Sequence, residues 1–123
     1  MTMSKKSPSE HYEQVCFVSW WRRTQTDLLF AIPNGGARSK SQAGKLKAEG
    51  VHSGVWDLFA PERGLWIEMK RSDQGTLSEA QREFGRAMLA AGYRCMAAWG
   101  RDDAIAQVEG GERGEWKRLD KST

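Results

Sequence analysis

The sequence is poor in the residues that form disulfides and zinc sites. Its 123 residues include two cysteines, Cys16 and Cys95, and two histidines, His11 and His52. The cysteines are far apart, stand in apolar surroundings and make no CxxC pair, so we interpret them as reduced core residues of a cytosolic protein. The isolated histidines fit none of the usual zinc-ligand spacings. The sequence therefore excludes a disulfide scaffold and a zinc module.

Long apolar runs are missing as well. No segment is long enough to span a bilayer, and the N-terminal MTMSKKSPSEHYEQ has no apolar h-region, so we expect neither a membrane partner nor a secretory signal. Hydrophobic residues make up 39% and charged residues 28% of the chain, which is typical of a soluble globular protein. At this length we expect one domain, at residues 9–110, between polar tails at residues 1–8 and 111–123.

The sequence also has little excess of one charge. A formal net charge of +3 permits nucleic-acid binding but does not argue for it. The distribution is more informative, because the segment RSKSQAGKLK at residues 38–47 contains no acid and four bases: Arg38, Lys40, Lys45 and Lys47. Such a run is usually a solvated helix face, but it can also form a track for the phosphates of a nucleic acid.

Apolar patterning and helix caps predict an alternation of helices and strands. Ser78 caps the third helix, Gly92 ends it, and Phe84, Met88 and Leu89 give it a core stripe. The other helices are predicted at residues 9–23, 39–49 and 102–110. The strands are predicted at residues 28–32, 54–60, 65–70 and 93–99. The hairpin-like ERG between the second and third strands makes them antiparallel neighbours, and the whole order predicts an α/β fold with a mixed four-stranded sheet flanked by helices.

Three charged side chains interrupt the apolar strands of GVWDLFAPERGLWIEMK, residues 54–70. Side chains alternate along a strand, so Glu68 and Lys70 share one face, and Asp57 on the neighbouring strand can approach Glu68 there. Two close carboxylates repel each other, and a divalent cation removes that conflict. Oxygen ligands suit Mg²⁺ or Mn²⁺, and such a site fits metal-assisted hydrolysis of a phosphodiester. The alternative is a solvated ion-pair cluster, which is the better interpretation of Glu-x-Lys taken alone.

An Asp on one strand followed by Glu-x-Lys on the next is similar to the PD-(D/E)xK nuclease signature. The wider string IPNGGARSKSQAGKLKAEGVHSGVWDLFAPERGLWIEMK, with GTLSEAQREF and AGYRCMAAWG, closely resembles the stand-alone VRR-NUC domains of phages and bacteria. This resemblance runs from about Glu10 to Ala106. It implies a restriction-endonuclease-like fold, metal-dependent cleavage of branched or flapped DNA, and the cytoplasm of a bacterium or a phage-infected cell. Small members of the family resemble dimeric Holliday junction resolvases, which implies a homodimer.

The resemblance also implies roles for individual residues. Asp57 and Glu68 match the metal-binding acids, Lys70 matches the catalytic lysine, and the main-chain carbonyl of Met69 corresponds to a further metal ligand. Gln81 matches a glutamine of the helix after the third strand, from which it could reach the site.

An acid on the first helix usually completes the site in this family. We prefer Glu13, because Cys16, Phe17 and Trp20 follow it at the spacing of a buried face, and Glu10 is the alternative. The sequence departs from the family at Trp56, where proline is usual before the Asp, so the local strand path and the fit to DNA can differ.

Two further features bear on partners. The turn PNGG at residues 33–36 is either an ordinary turn or a loop whose N–H groups and Asn34 approach DNA phosphates. Trp20, Trp21 and Trp99 are hard to bury together in so small a monomer, which favours a dimer interface. His52 is interpreted as a surface residue. The rival functions are a catalytically silent DNA-binding module of the same fold, a nuclease for flaps or nicked duplexes, and a restriction subunit.

Overall fold

The computed structural model describes residues 7–33, 39–73 and 75–110. The helices are α1 (Glu10–Thr24), α2 (Lys40–Ala48), α3 (Glu79–Ala90) and α4 (Arg101–Glu109), and the strands are β1 (Phe30–Ala31), β2 (Leu58–Ala60), β3 (Leu65–Lys70) and β4 (Arg94–Trp99). The predicted element order is therefore confirmed. The predicted C-terminal tail and all but residues 7 and 8 of the predicted N-terminal tail lie outside the described residues.

The four strands form one mixed sheet in the order β1-β2-β3-β4. The β1–β2 and β2–β3 pairs are antiparallel, and β3 runs parallel to β4. The predicted hairpin is confirmed, with a 3-10 turn at Pro61–Arg63 between its two strands. Parallel strands need a crossover connection, which α3 supplies between β3 and β4.

Apolar side chains cover both faces of the sheet. On one face, Phe17 and Trp21 of α1 and Ala104 of α4 pack against the side chains of Ile67, Met96 and other strand residues. On the other face, Trp56, Leu77 and Cys95 are buried, and Phe84 and Met88 of α3 pack against them. Because side chains alternate in β3, Trp66, Glu68 and Lys70 point toward the α3 face. The buried charges therefore lie beneath the start of α3.

A serine cap fixes where α3 begins. The Ser78 side chain accepts a hydrogen bond from the Gln81 N–H, and the Gln81 side chain accepts one from the Ser78 N–H, which is a capping box. Ser39 and Gln42 form the same arrangement at the start of α2. The cap holds Gln81 at the end of the helix that faces β3.

Several local predictions are wrong, and the first strand is Phe30–Ala31 where residues 28–32 were predicted. The second strand is predicted over residues 54–60 but begins at Leu58, because Gly54 has a φ of +86° and lies against the start of α3, so the chain there cannot continue the ladder. Leu89 is predicted to be buried but is 36% exposed. Gly85 is buried in its place, where its carbonyl accepts a hydrogen bond from the Cys95 thiol.

The tryptophans predicted to leave spare apolar surface are packed within the chain. Trp21 is buried, and Trp20 packs partly buried against the same core. Trp99 is partly buried, and its indole N–H donates to the Gly75 carbonyl at 2.8 Å. These three residues therefore leave less apolar surface for a dimer interface than the sequence predicts, and the homodimer stays a prediction. No helix in the described ranges is both long and apolar enough to cross a membrane.

Candidate active site

Asp57 and Glu68 approach each other at the end of the β2–β3 ladder. Leu58 pairs with Ile67, so the register continued by one residue sets Asp57 opposite Glu68. Asp57 has left the strand, and its carboxylate Oδ2 accepts a hydrogen bond from the Met69 N–H at 3.0 Å. A side-chain oxygen thus replaces the main-chain partner that Met69 would have in a longer strand. The predicted convergence of these two acids is present.

Burial distinguishes this cluster from an ordinary ion pair. Glu68 is 2% exposed and Lys70 is 7% exposed, although glutamate and lysine are rarely buried. The Lys70 Nζ lies 3.5 Å from Glu68 Oε2. The alternative of a solvated cluster on an exposed sheet face is therefore wrong, because the charges lie between the sheet and α3.

Gln81 connects the acid and the base. Its Nε2 donates to Glu68 Oε2 at 2.9 Å, and its Oε1 accepts from Lys70 Nζ at 3.1 Å. The same Oε1 accepts the Ser78 N–H of the capping box at 2.9 Å. One amide therefore caps α3 and fixes the positions of both charged groups of β3.

The electrostatics of the cluster disfavour two negative charges. Burial, and next the charge of Asp57, raise the pKa of Glu68 to about 8. Burial also raises the pKa of Asp57, against the effect of the hydrogen bond from Met69. Glu68 Oε1 is buried and has no hydrogen-bond partner in the described residues. An anionic oxygen without a partner is unfavourable in a low-dielectric interior, so this atom favours a cation or a proton.

The two acids of α1 lie in different environments. Glu13 is buried, as its helical phase predicts, but its Oε1 accepts from the main-chain N–H of Arg101 at 2.9 Å and from Arg101 Nε at 3.1 Å. It therefore caps the first turn of α4, which has no side-chain cap of its own. Glu10 is exposed, and its charge contributes to the raised pKa values of Asp57 and Glu68.

The possible metal ligands are all oxygens. No group of three acidic, imidazole or thiol side chains close enough to hold a metal occurs in the part of the chain that the structure describes. Asp57 and Glu68 supply two carboxylates. The N–H and C=O of one strand residue point to the same side, so the carbonyl of Met69 is directed to the side on which Asp57 lies.

A groove of about 1040 Å³ opens beside the acids. Its walls are α2, the loop at residues 50–55 and the first turn of α3, and Asp57 and Gln81 line it. His52 also lines it, with Nδ1 at 2.7 Å from the Ser53 carbonyl oxygen, and is exposed as predicted. The groove gives Asp57 access to a ligand from outside the molecule, next to the buried Glu68.

The predicted DNA-contacting residues are only partly described. Lys40, Lys45 and Lys47 are exposed on α2, a helix with no buried residue, and Lys47 lines the groove. Asn34 and Arg38 lie outside the described residues. α2 is therefore held by few apolar contacts and presents its positive charges to solvent.

Sequence reasoning missed two contacts that shape the site. The indole N–H of Trp56 donates to the main-chain carbonyl of Gln81 at 2.9 Å. Arg101, which binds Glu13, lies 88 residues along the chain. The position of Trp56 next to Asp57 was a local signal for the first contact. No local signal indicates the second, because it depends on how α1 and α4 pack.

Comparisons with known proteins bear on the fold. No family model matches the chain, and no curated protein is significantly similar to it. A solved structure described as a VRR_NUC domain protein superposes with a TM-score of 0.74. The match covers 91% of this chain and 94% of that chain at 22% sequence identity. The chain therefore has the restriction-endonuclease-like α/β fold of a VRR-NUC domain, as the sequence predicts.

Proposed function

We propose that the protein is a Mg²⁺- or Mn²⁺-dependent DNA endonuclease that hydrolyses phosphodiester bonds and selects branched or otherwise structured DNA. The observation that carries this proposal is the apposed carboxylates of the half-buried Asp57 and the buried Glu68, beside the buried Lys70 ammonium group. Acids with raised pKa values at the wall of a groove, as Asp57 is here, are typical of catalytic sites.

The residues fit a hard divalent cation. Glu68 Oε1 has no partner among the described residues, two carboxylates face each other, and no sulfur or imidazole is among the donors. Asp57, Glu68 and the Met69 carbonyl would hold the ion, and the negative charge of the exposed Glu10 on α1, which raises the pKa values of both acids, would favour its binding. When bound, such an ion lowers the pKa of water and neutralises charge on the phosphate.

The remaining residues position charge. Lys70 keeps an ammonium group within hydrogen-bond distance of Gln81 and beside Glu68, where it can orient a water or stabilise the pentavalent phosphorane oxygens. Gln81 holds this lysine and binds only one of the two oxygens of Glu68. Oε2 of Glu68 therefore faces Gln81 and Lys70, whereas Oε1 is left for another ligand.

Exposed bases of α2 support DNA as the substrate. Lys47 stands in the groove that contains Asp57, and Lys40 and Lys45 extend the positive surface along the same helix. Such lysines would bind phosphates without reading sequence, together with Asn34 and Arg38. Binding through the backbone fits selection of DNA by its shape.

The test is cleavage of defined DNA substrates. Purified protein is incubated with four-way junction, flap, nicked duplex, plain duplex and single-stranded DNA, with Mg²⁺, with Mn²⁺ and with neither. We expect metal-dependent cleavage of a branched substrate and no cleavage by Lys70→Ala. Binding of branched DNA without cleavage under any condition would instead support the catalytically silent DNA-binding module.

The resolvase-like alternative predicts a homodimer, because resolving a four-way junction needs two symmetric cuts and a two-fold dimer supplies two equivalent sites. Trp20 and Trp99 are partly buried, and other apolar side chains are more exposed, among them Tyr12, Val15, Leu28 and Phe30. We expect light scattering at micromolar concentration to give about twice the 13.9 kDa of one chain. A single-chain mass with and without junction DNA would favour a flap or nicked-duplex nuclease.

A further inference from the structure

Trp56 occupies an unusual position for a large aromatic residue. It directly precedes Asp57 and is fully buried beneath α3, in the cluster that contains Leu77 and Cys95. It therefore cannot contact DNA itself. Its neighbours in sequence and in space, however, both belong to the candidate site.

The polar end of Trp56 is fixed on α3. Its Nε1–H donates to the carbonyl oxygen of Gln81 at 2.9 Å, across 25 residues of sequence. A buried indole N–H is usually hydrogen-bonded, and this one fixes the main chain of the residue whose side chain holds Glu68 and Lys70. A shift of the Gln81 backbone would move both of those contacts together.

A second contact joins the same segments. Gly54 has a φ of +86°, and a Cβ added there would lie 2.3 Å from the Ala80 carbonyl oxygen. The chain that leads to Asp57 is therefore in direct contact with the first turn of α3, with no room for a side chain. The absence of a side chain at Gly54 lets the loop lie close to α3, and the hydrogen bond of Trp56 fixes the position of the loop along that helix.

We propose that Trp56 is a positioning residue, whose indole N–H holds the first turn of α3 so that Gln81 keeps Glu68 and Lys70 aligned with Asp57. The effect on activity rests on the proposed nuclease function. The effect on the Gln81 side chain does not, because it can be measured without metal or DNA.

The chain contains a matched control. Trp66 packs against the same buried cluster, and its Nε1 is buried without a hydrogen-bond partner in the described residues. Trp66→Phe therefore removes an indole N–H that makes no hydrogen bond to the described residues. Trp56→Phe removes one that donates to the Gln81 carbonyl. Both changes shorten a tryptophan at the α3 face of the sheet, so they weaken packing in the same cluster.

We expect Trp56→Phe to lower kcat about tenfold or more with little change in KM, and Trp66→Phe to lower it less than about threefold, because small displacements of catalytic groups reduce rate strongly. In a double-mutant cycle with Gln81→Met, the Trp56 change should add little to the effect of Gln81→Met alone. Equal kcat values for the two tryptophan variants, or multiplied effects in the cycle, would overturn the proposal.

A spectroscopic readout separates this inference from the nuclease assignment. In ¹H–¹⁵N spectra the Gln81 side-chain amide, assigned by its disappearance in Gln81→Met, should shift in Trp56→Phe and stay in place in Trp66→Phe. An unmoved amide in Trp56→Phe overturns the positioning role, whether or not the protein cleaves DNA. If Trp56→Phe does not fold, benzothienylalanine at position 56 keeps the bicyclic ring, replaces the N–H with sulfur, and should give the same shift.

Discussion

Two pairs of acids in this molecule have opposite surroundings. Glu13 and Asp27 each bind an arginine. Asp27 accepts hydrogen bonds from Arg63 at 2.8 and 3.0 Å. Glu13 accepts hydrogen bonds from Arg101 at 2.9 and 3.1 Å. The apposed acids, Asp57 and Glu68, lie beside each other, and one buried oxygen of Glu68 has no partner in the described residues.

The two pairs differ in their effect on folding. The hydrogen bond from Arg63 lowers the pKa of Asp27, so its ionised form stabilises the folded chain. Burial raises the pKa values of Asp57 and Glu68, and the charge of Asp57 raises that of Glu68 further, so their ionised forms oppose folding. An arrangement that opposes folding and yet is held in place by Gln81 and Met69 is typical of a functional site.

The largest expected effect is on DNA cleavage, which should depend on the apposed acids and not on the acids bound to arginine. Asp57→Asn and Lys70→Ala should each reduce DNA cleavage by about 10³-fold or more, because they remove a charge that acts on the reacting phosphate. Circular dichroism should show an intact fold for both. Asp27→Asn is the matched control, and we expect it to lower stability while cleavage by the folded protein is unchanged. Full activity in Lys70→Ala would remove the nuclease proposal.

The next prediction compares the pairs by pH. The folded pKa of Glu68 is above its unfolded value, so the stability it contributes is complete below about pH 4.5 and is lost as the pH rises through about 8. Metal-free Glu68→Gln should therefore exceed the wild type in free energy of unfolding by on the order of 3 kcal/mol above pH 8, and by little near pH 4.5. Urea unfolding across this range gives the measurement.

Asp27→Asn should show the opposite sign. The folded pKa of Asp27 is lowered, so its contribution is present above the unfolded value of 3.8 and is lost as the pH falls through the folded value. The variant should be less stable than the wild type at neutral pH and approach it in acid. Parallel pH profiles for Glu68→Gln and Asp27→Asn would mean that the two pairs do not differ in the way described.

How well the sequence predicts which acids face each other and which bind an arginine depends on how far apart in the sequence the contacting residues lie. Strand alternation and the short hairpin were enough to bring Asp57, Glu68 and Lys70 together, because both signals are local. The cap at Ser78 was also predicted from local sequence, whereas the approach of Gln81 to the site was expected only from the resemblance to VRR-NUC domains. The partner of Glu13 could not be predicted, because helical phase determines that a residue is buried but not which distant helix end it meets.

Substitutions of the two acids of α1 test this explanation directly. Glu13→Gln should lower the free energy of unfolding by about 1–2 kcal/mol, because it removes a charge from the hydrogen bonds that cap α4. It should leave the Mn²⁺ dependence of cleavage unchanged. Glu10→Gln should leave stability unchanged and raise the Mn²⁺ concentration needed for half-maximal cleavage. The sequence alone favoured the reverse assignment, and a metal effect confined to Glu13→Gln would restore it.

The smallest expected effect concerns the positively charged side chains, which, like the acids, are either bound to a group of opposite charge or left without one among the described residues. Arg63 and Arg101 are bound to acids, whereas Lys40, Lys45 and Lys47 of α2 are exposed to solvent. Replacing the three lysines by Ala, with Arg38 unchanged, should weaken binding to every DNA shape by a similar factor. On duplex DNA, the slope of log affinity against log salt should fall by about 0.9 for each phosphate that the variant no longer neutralises.

The control for this salt measurement is Arg86→Ala. Arg86 is a base of α3 that already lies 3.7 Å from Glu79, so its charge is partly balanced and its removal should change the number of released counterions less. Fluorescence anisotropy with labelled junction and duplex DNA at several salt concentrations, in Ca²⁺ to prevent cleavage, compares the two variants. If the triple variant keeps the wild-type slope, α2 is a solvated helix face, and the phosphates must be bound by other bases of the protein.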